Sequence, residues 1–161
     1  MELKHGLLIL GACVLLFGGV LLFANSRSAP GEVTDRTTRE ITLACDREHS
    51  YFHIHPVLSI VANGERQEIP ANIGIKPTCM TAIHTHTADG VIHVESPEVR
   101  DFALSDFFAV WEKPFNKDQV LDFKADATHR IRITVNGQEV DTFENTILRD
   151  QDQIVILYEA I

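Results

Sequence analysis

The amino-acid sequence predicts a mostly-β fold, a compact sandwich or partly open barrel with one short helix, behind one N-terminal transmembrane helix. Short runs of alternating apolar and polar residues recur along the chain, the period of half-buried strands. Between such runs stand Asn63-Gly64, Asp89-Gly90 and Asn136-Gly137, dipeptides that accept the positive φ of tight hairpin turns. The third observation concerns the anchor. Leu7 to Ala24 reads LLILGACVLLFGGVLLFA, an apolar stretch at the short end of a membrane span.

Residues 1–24 therefore read as a signal anchor, 25–39 as a tether and 40–161 as a β-rich domain. No small-x-small cleavage site follows the apolar run, and Pro30 stands directly after Ala29, which favours an uncleaved anchor over a cleaved signal peptide. Leu10-Gly11-Ala12-Cys13 has the form of a lipobox, but apolar residues continue past Cys13, where a lipoprotein turns polar. Arg27, Arg36 and Arg39 after the span outnumber Lys4 before it, so a strict positive-inside count does not export the domain. Large C-terminal domains cross regardless of modest charge, and Cys45 and Cys79 fit a disulfide in an oxidising compartment. The alternative for them is two buried thiols. The expectation is a single-pass protein of the cell membrane, its C-terminal domain outside the cytoplasm.

Within the domain, Glu40 to Cys45 (EITLAC) reads as a first short strand. Phe52 to Ala62 reads as one strand, returning through Asn63-Gly64 to Glu65–Ile69. Pro70 to Pro77 is a connection, with two prolines and a glycine. Ile83 to Glu95 forms a central hairpin around Asp89-Gly90, closed by Ser96-Pro97, since proline cannot continue a central ladder. Ser105 is placed as a helix N-cap before the apolar Phe107–Trp111, whose aromatics read as core packing, and Pro114 ends that helix. His129–Val135 and Gln138–Phe143 make a second hairpin, and Gln153–Tyr158 a last strand.

The chemistry lies in the histidines. A tight turn at Asp89-Gly90 sets His86 opposite His93 and His84 opposite Glu95; a wider loop from Thr87 to Gly90 sets His84 opposite His93. Side chains alternate along a strand, so either register puts His84, His86, His93 and Glu95 on one face, with Ile83, Ile92 and Val94 on the other. His53 and His55 likewise share a face opposite Phe52 and Ile54. These five histidines and Glu95 are the candidate metal ligands. Neutral imidazole suits Zn, Cu, Ni or Fe; without a Cys-x-x-Cys or a Met-rich stretch, a site specialised for Cu(I) is disfavoured. Zinc or copper is the expected ion, with iron and nickel open. Glu95 is either a ligand or the outer acceptor that holds a histidine tautomer. The bland alternative is the wet face of a sheet.

The chain has 161 residues and a net charge of −9 with neutral histidines, which argues against nucleic acid as a partner. It has no Gly-rich phosphate loop and no Gly-x-Ser-x-Gly. Three functions remain. The first is a metal-binding module. The second is a metal-dependent hydrolase or oxidoreductase, in which bound water is acidified to a pKa of about 7 and Glu95 serves as base. The third is a metal-free accessory subunit of a membrane complex, whose histidine face changes charge near a pKa of about 6.5.

The set H-x-H…N-G…P-A-N-I-G-I…C…H-T-H…G-V-I-H-V-E-S-P…F-F-x-V-W, carried by His53 to Trp111, resembles a group of uncharacterised membrane-anchored microbial proteins with no established activity. The resemblance implies architecture and not function. The H-x-H repetition is similar to that of cupins and multicopper oxidases, but neither family's full ligand pattern is present. The segment Leu148-x-Asp150-x-Asp152-x-Ile154-Val155-Ile156 resembles the last strand of small β-grasp domains, which makes a β-grasp-like C-terminal half the alternative fold.

Overall fold

The computed structural model describes residues 37–46 and 51–161. The expected anchor, most of the tether and His49 lie outside the described residues. What is described is mostly β, with two short helices and no closed barrel.

In chain order the elements are α1 (Thr38–Leu43), β1 (Cys45–Asp46), β2 (Phe52–Ile54), β3 (Val57–Ala62), β4 (Glu65–Gln67), β5 (Ile75–Lys76), β6 (Cys79–Thr81), β7 (Ile83–His84) and β8 (His93–Ser96). There follow α2 (Leu104–Trp111), β9 (Phe115–Asn116), β10 (Gln119–Val120), β11 (Phe123–Lys124), β12 (His129–Val135), β13 (Gln138–Val140), a 3-10 turn at Phe143–Asn145, and β14 (Gln153–Ala160). The main sheet runs β13-β12-β14-β3-β4. At its centre β14 lies parallel to β3 and antiparallel to β12. Three smaller sheets, β2-β8-β7, β1-β6-β5 and β11-β10-β9, complete the described fold.

The two Asn-Gly turns close the outer hairpins as their sequence requires. Asn63 and Gly64 have φ of 52° and 84°, Asn136 and Gly137 of 52° and 79°, and the flanking pairs Ala62↔Glu65 and Val135↔Gln138 leave two-residue loops. Alternation along β3 and β14 sends Leu58, Ile60, Ile154 and Ile156 inward, each at most 1 % exposed. Against them pack Phe102, Leu104, Phe107, Phe108 and Leu148 from the α2 region. Phe108 stacks on Phe115 with centroids 4.6 Å apart, so the α2 aromatics are core, as their apolar run implied.

Several local expectations are corrected. EITLAC is not a strand: Thr37 caps α1, its Oγ1 accepting from Glu40 N at 3.2 Å while Glu40 Oε2 accepts from Thr37 N at 2.7 Å. This is a capping box, and with the main-chain bonds Ile41 N to Thr37 O and Ala44 N to Glu40 O it outweighs the β propensity of Ile41 and Thr42. The helix also takes in Thr38 and Arg39. The N-cap of α2 is Ala103 and not Ser105; Asp106 Oδ2 accepts from Ala103 N at 3.0 Å, and the left-handed Glu112 ends the helix before Pro114 is reached. Phe52–Ala62 is two strands, because Pro56 has no N–H to donate and the chain changes sheet there.

The central hairpin takes the wider loop. Ile83 pairs with Val94 and His84 with His93, and no tight turn forms at Asp89-Gly90. Gly90 is instead committed to its neighbour: φ is +90° and its carbonyl accepts from Leu58 N at 2.8 Å. A Cβ at Gly90 would collide with the Leu58 carbonyl. Gly90→Ala is therefore expected to destabilise by about 1–3 kcal/mol, through φ strain and this clash. An unchanged denaturation midpoint would show that the loop is free to move away.

Candidate metal centre

The candidate ligands come together because β2 and β7 both pair with β8. The registers His53↔Glu95 and His84↔His93 place four of the six side chains directly opposite one another in the β2-β8-β7 sheet. His55 lies two residues beyond His53 and so returns to the same face. His86 lies beyond the end of β7 and is held by its neighbour. Thr85 is buried, its N–H donates to Ile73 O at 3.1 Å and its Oγ1 donates to Pro70 O at 2.8 Å. With Thr85 turned inward, His86 falls on the histidine side. On the reverse face Ile83 and Val94 are fully buried, fixing which way the sheet faces.

Two groups result, with ligand atoms within 4.8 Å of one another in each: His84, His86, His93 and Glu95; and His53, His55 and His93. His93 belongs to both. Its ring centroid is 4.5 Å from that of His86 and 4.6 Å from that of His55. His84 Nε2 lies 3.2 Å from His86 Nε2. Two nitrogens bound at 2.0–2.1 Å to one tetrahedral ion stand roughly 3.3 Å apart, so this pair is already at coordination spacing. Glu95 Oε1 is 3.8 Å from His84 Nε2 and 3.9 Å from His93 Nδ1, a few tenths of an ångström wider. It is nearer still to His53 Nε2, at 3.0 Å, an ion-pair or hydrogen-bond distance. Glu95 Oε1 is therefore within reach of both groups, closest to His53 and within 4.8 Å of the ligand atoms of His84, His86 and His93. Its other oxygen, Oε2, is buried with no hydrogen-bond partner.

No family model, curated protein or solved structure matches this chain. The chemistry therefore rests on the residues themselves.

The tautomer of one ring is decided by its partner. His84 is fully buried, and its Nδ1 lies 3.0 Å from the Thr81 carbonyl. A carbonyl only accepts, so Nδ1 carries the proton and, in the neutral ring, Nε2 presents a lone pair. A carbonyl behind the far nitrogen is the usual support of a metal-binding histidine. Burial lowers the pKa of His84, partly offset by the Thr81 hydrogen bond and the Glu95 charge. His93 is lowered further, from 6.5 to about 4, first by burial and then by the other four imidazoles. At neutral pH both rings are uncharged, the form that binds metal.

Between pH 6.5 and about 4 the unfolded chain protonates His93 and the folded chain does not, so acidification in that window favours unfolding. Metal-free protein is expected to lose on the order of 1–2 kcal/mol from His93 as pH falls across it, solvent screening the partly exposed ring, with no further loss from this group below about pH 4. Urea titrations at stepped pH check this; constant stability from pH 7 to 4.5 would contradict the half-buried, neutral ring.

Two supporting groups were not visible in the sequence. Thr81 acts through its main chain, which carries no side-chain signal. Asp150 Oδ1 accepts from His55 N at 2.9 Å and lies 3.9 Å from His55 Nδ1, and 95 residues separate the two. His129 lies outside the cluster, stacked on Tyr158 with centroids 4.9 Å apart.

Proposed function

We propose that this is a membrane-tethered, extracytoplasmic domain that binds a divalent transition ion, zinc or copper, through His84, His86, His93 and Glu95. The observation that carries the reading is the His84 ring: its proton is held by Thr81 O, and its bare Nε2 stands 3.2 Å from His86 Nε2 beside a buried carboxylate. A buried carboxylate oxygen without a partner costs roughly 1–3 kcal/mol, and a cation beside Glu95 offsets that cost. Imidazole nitrogen with carboxylate oxygen is a donor set suited to zinc or copper(II).

The location rests on Leu7–Ala24 and on the joined Cys45–Cys79 pair, which suits an oxidising compartment. The sheet order, with β14 parallel to β3 between two hairpins, supports a β-grasp-like frame that extends beyond the C-terminal half. Full-length protein loaded with zinc or copper and then freed of unbound metal should retain at least one ion per chain by elemental analysis. Metal-free protein after both loadings removes the proposal. Carbonate washing should leave the chain in the membrane fraction; a mature chain released with a new N-terminus near Asn25 would remove the tether.

A further inference from the structure

We propose that the two ligand groups form a single two-ion centre: an inner ion on His84, His86, His93 and Glu95, an outer ion on His53 and His55, and the His93 ring bridging them through its two nitrogens. This rests on the metal-binding reading above and extends it. Three observations carry it. His93 is common to both groups, and each group has the donor number of a recognised site, four for a closed tetrahedral ion and three for one with an open position. The His93 ring has one close, nearly perpendicular neighbour from each group, His86 at 81° and His55 at 88°. Glu95 Oε1, 3.0 Å from His53 Nε2, accepts that N–H, which leaves His53 Nδ1 as the donor to the outer ion.

Exposure orders the two ions. The His84 and Glu95 side chains are 0 % and 6 % exposed, whereas those of His53 and His55 are 40 % and 41 %. The inner ion has two buried donors, His84 and Glu95, with His86 on its solvent side. The outer one faces solvent with a free coordination position, where water or a small anion binds. On binding the second ion, His93 gives its remaining ring proton to solvent, and the imidazolate donates a lone pair to each metal.

Copper(II) titration of metal-free full-length protein, followed by electron paramagnetic resonance, tests this. The expected result is two copper ions per chain, with the signal of the first losing intensity as the second binds, because spins couple through the shared ring. His53→Ala/His55→Ala, at the exposed end, should bind one copper with a full, uncoupled signal. Saturation of the unaltered protein at one ion overturns the two-ion centre and leaves the inner site standing. A second ion that adds its full signal overturns the bridge. No bound copper or zinc at all removes this proposal together with the one it rests on.

Discussion

Replacing His86 with alanine is expected to weaken zinc binding by on the order of 100-fold or more, with little effect on the metal-free fold. Changes to outer partners of a metal ligand already cost 10–100-fold, and His86 is placed as a direct donor, its Nε2 3.2 Å from that of His84. His86 is also exposed, so its removal costs the metal-free fold little beyond the contact with His84 Nε2. His84 is a poorer probe. It is fully buried, and its removal would leave a cavity and deprive the Thr81 carbonyl of its partner. The two effects separate by calorimetry: His86→Ala should melt close to unaltered metal-free protein, yet gain no more than about 0.4 of the roughly 2.7 kcal/mol that a ligand at a hundred times its Kd confers. Unchanged zinc affinity in His86→Ala would take His86 out of the site.

Breaking the Cys45–Cys79 bridge, by serine at both positions, should cost about 2–4 kcal/mol, from the loop of about 35 residues that it closes. It should also weaken metal binding. Cys45 pairs with Thr81 across β1 and β6, and the Thr81 carbonyl is what holds the His84 ring in its tautomer. Loosening that strand frees the ring to turn. Thiol labelling of denatured, unreduced protein should find Cys13 at most. Two further labelled thiols, or a double-serine variant with undiminished stability, would defeat the prediction.

The local features that reasoning from residues reached are those with a short physical cause. Asn63-Gly64 and Asn136-Gly137 turn where positive φ is needed, and the alternation of Ile83, Val94, His84 and Glu95 survives any register that keeps parity. For that reason the shared histidine face did not depend on the Asp89-Gly90 turn. The errors came where distant partners decide. Nothing near Asp89 shows that Gly90 must meet Leu58, and the break at Pro56 matters only because β2 and β3 join different sheets. The α1 helix is different, because the Thr37…Glu40 capping box is itself legible in the sequence and competes there with the β-formers of EITLAC.

The place of β14 carries a consequence for how the chain is made. β14 is the latest described strand to leave the ribosome, and it is the middle of the main sheet. Until it emerges, the β3–β4 and β12–β13 hairpins have no common partner, so the main sheet closes in one late event. The histidine sheet is under no such delay, since β2, β7 and β8 are complete by Ser96. In vectorial synthesis five imidazoles and a carboxylate can thus be gathered while the larger sheet is still in two pieces. His55 is the one donor tied to the late segment, through its N–H on Asp150.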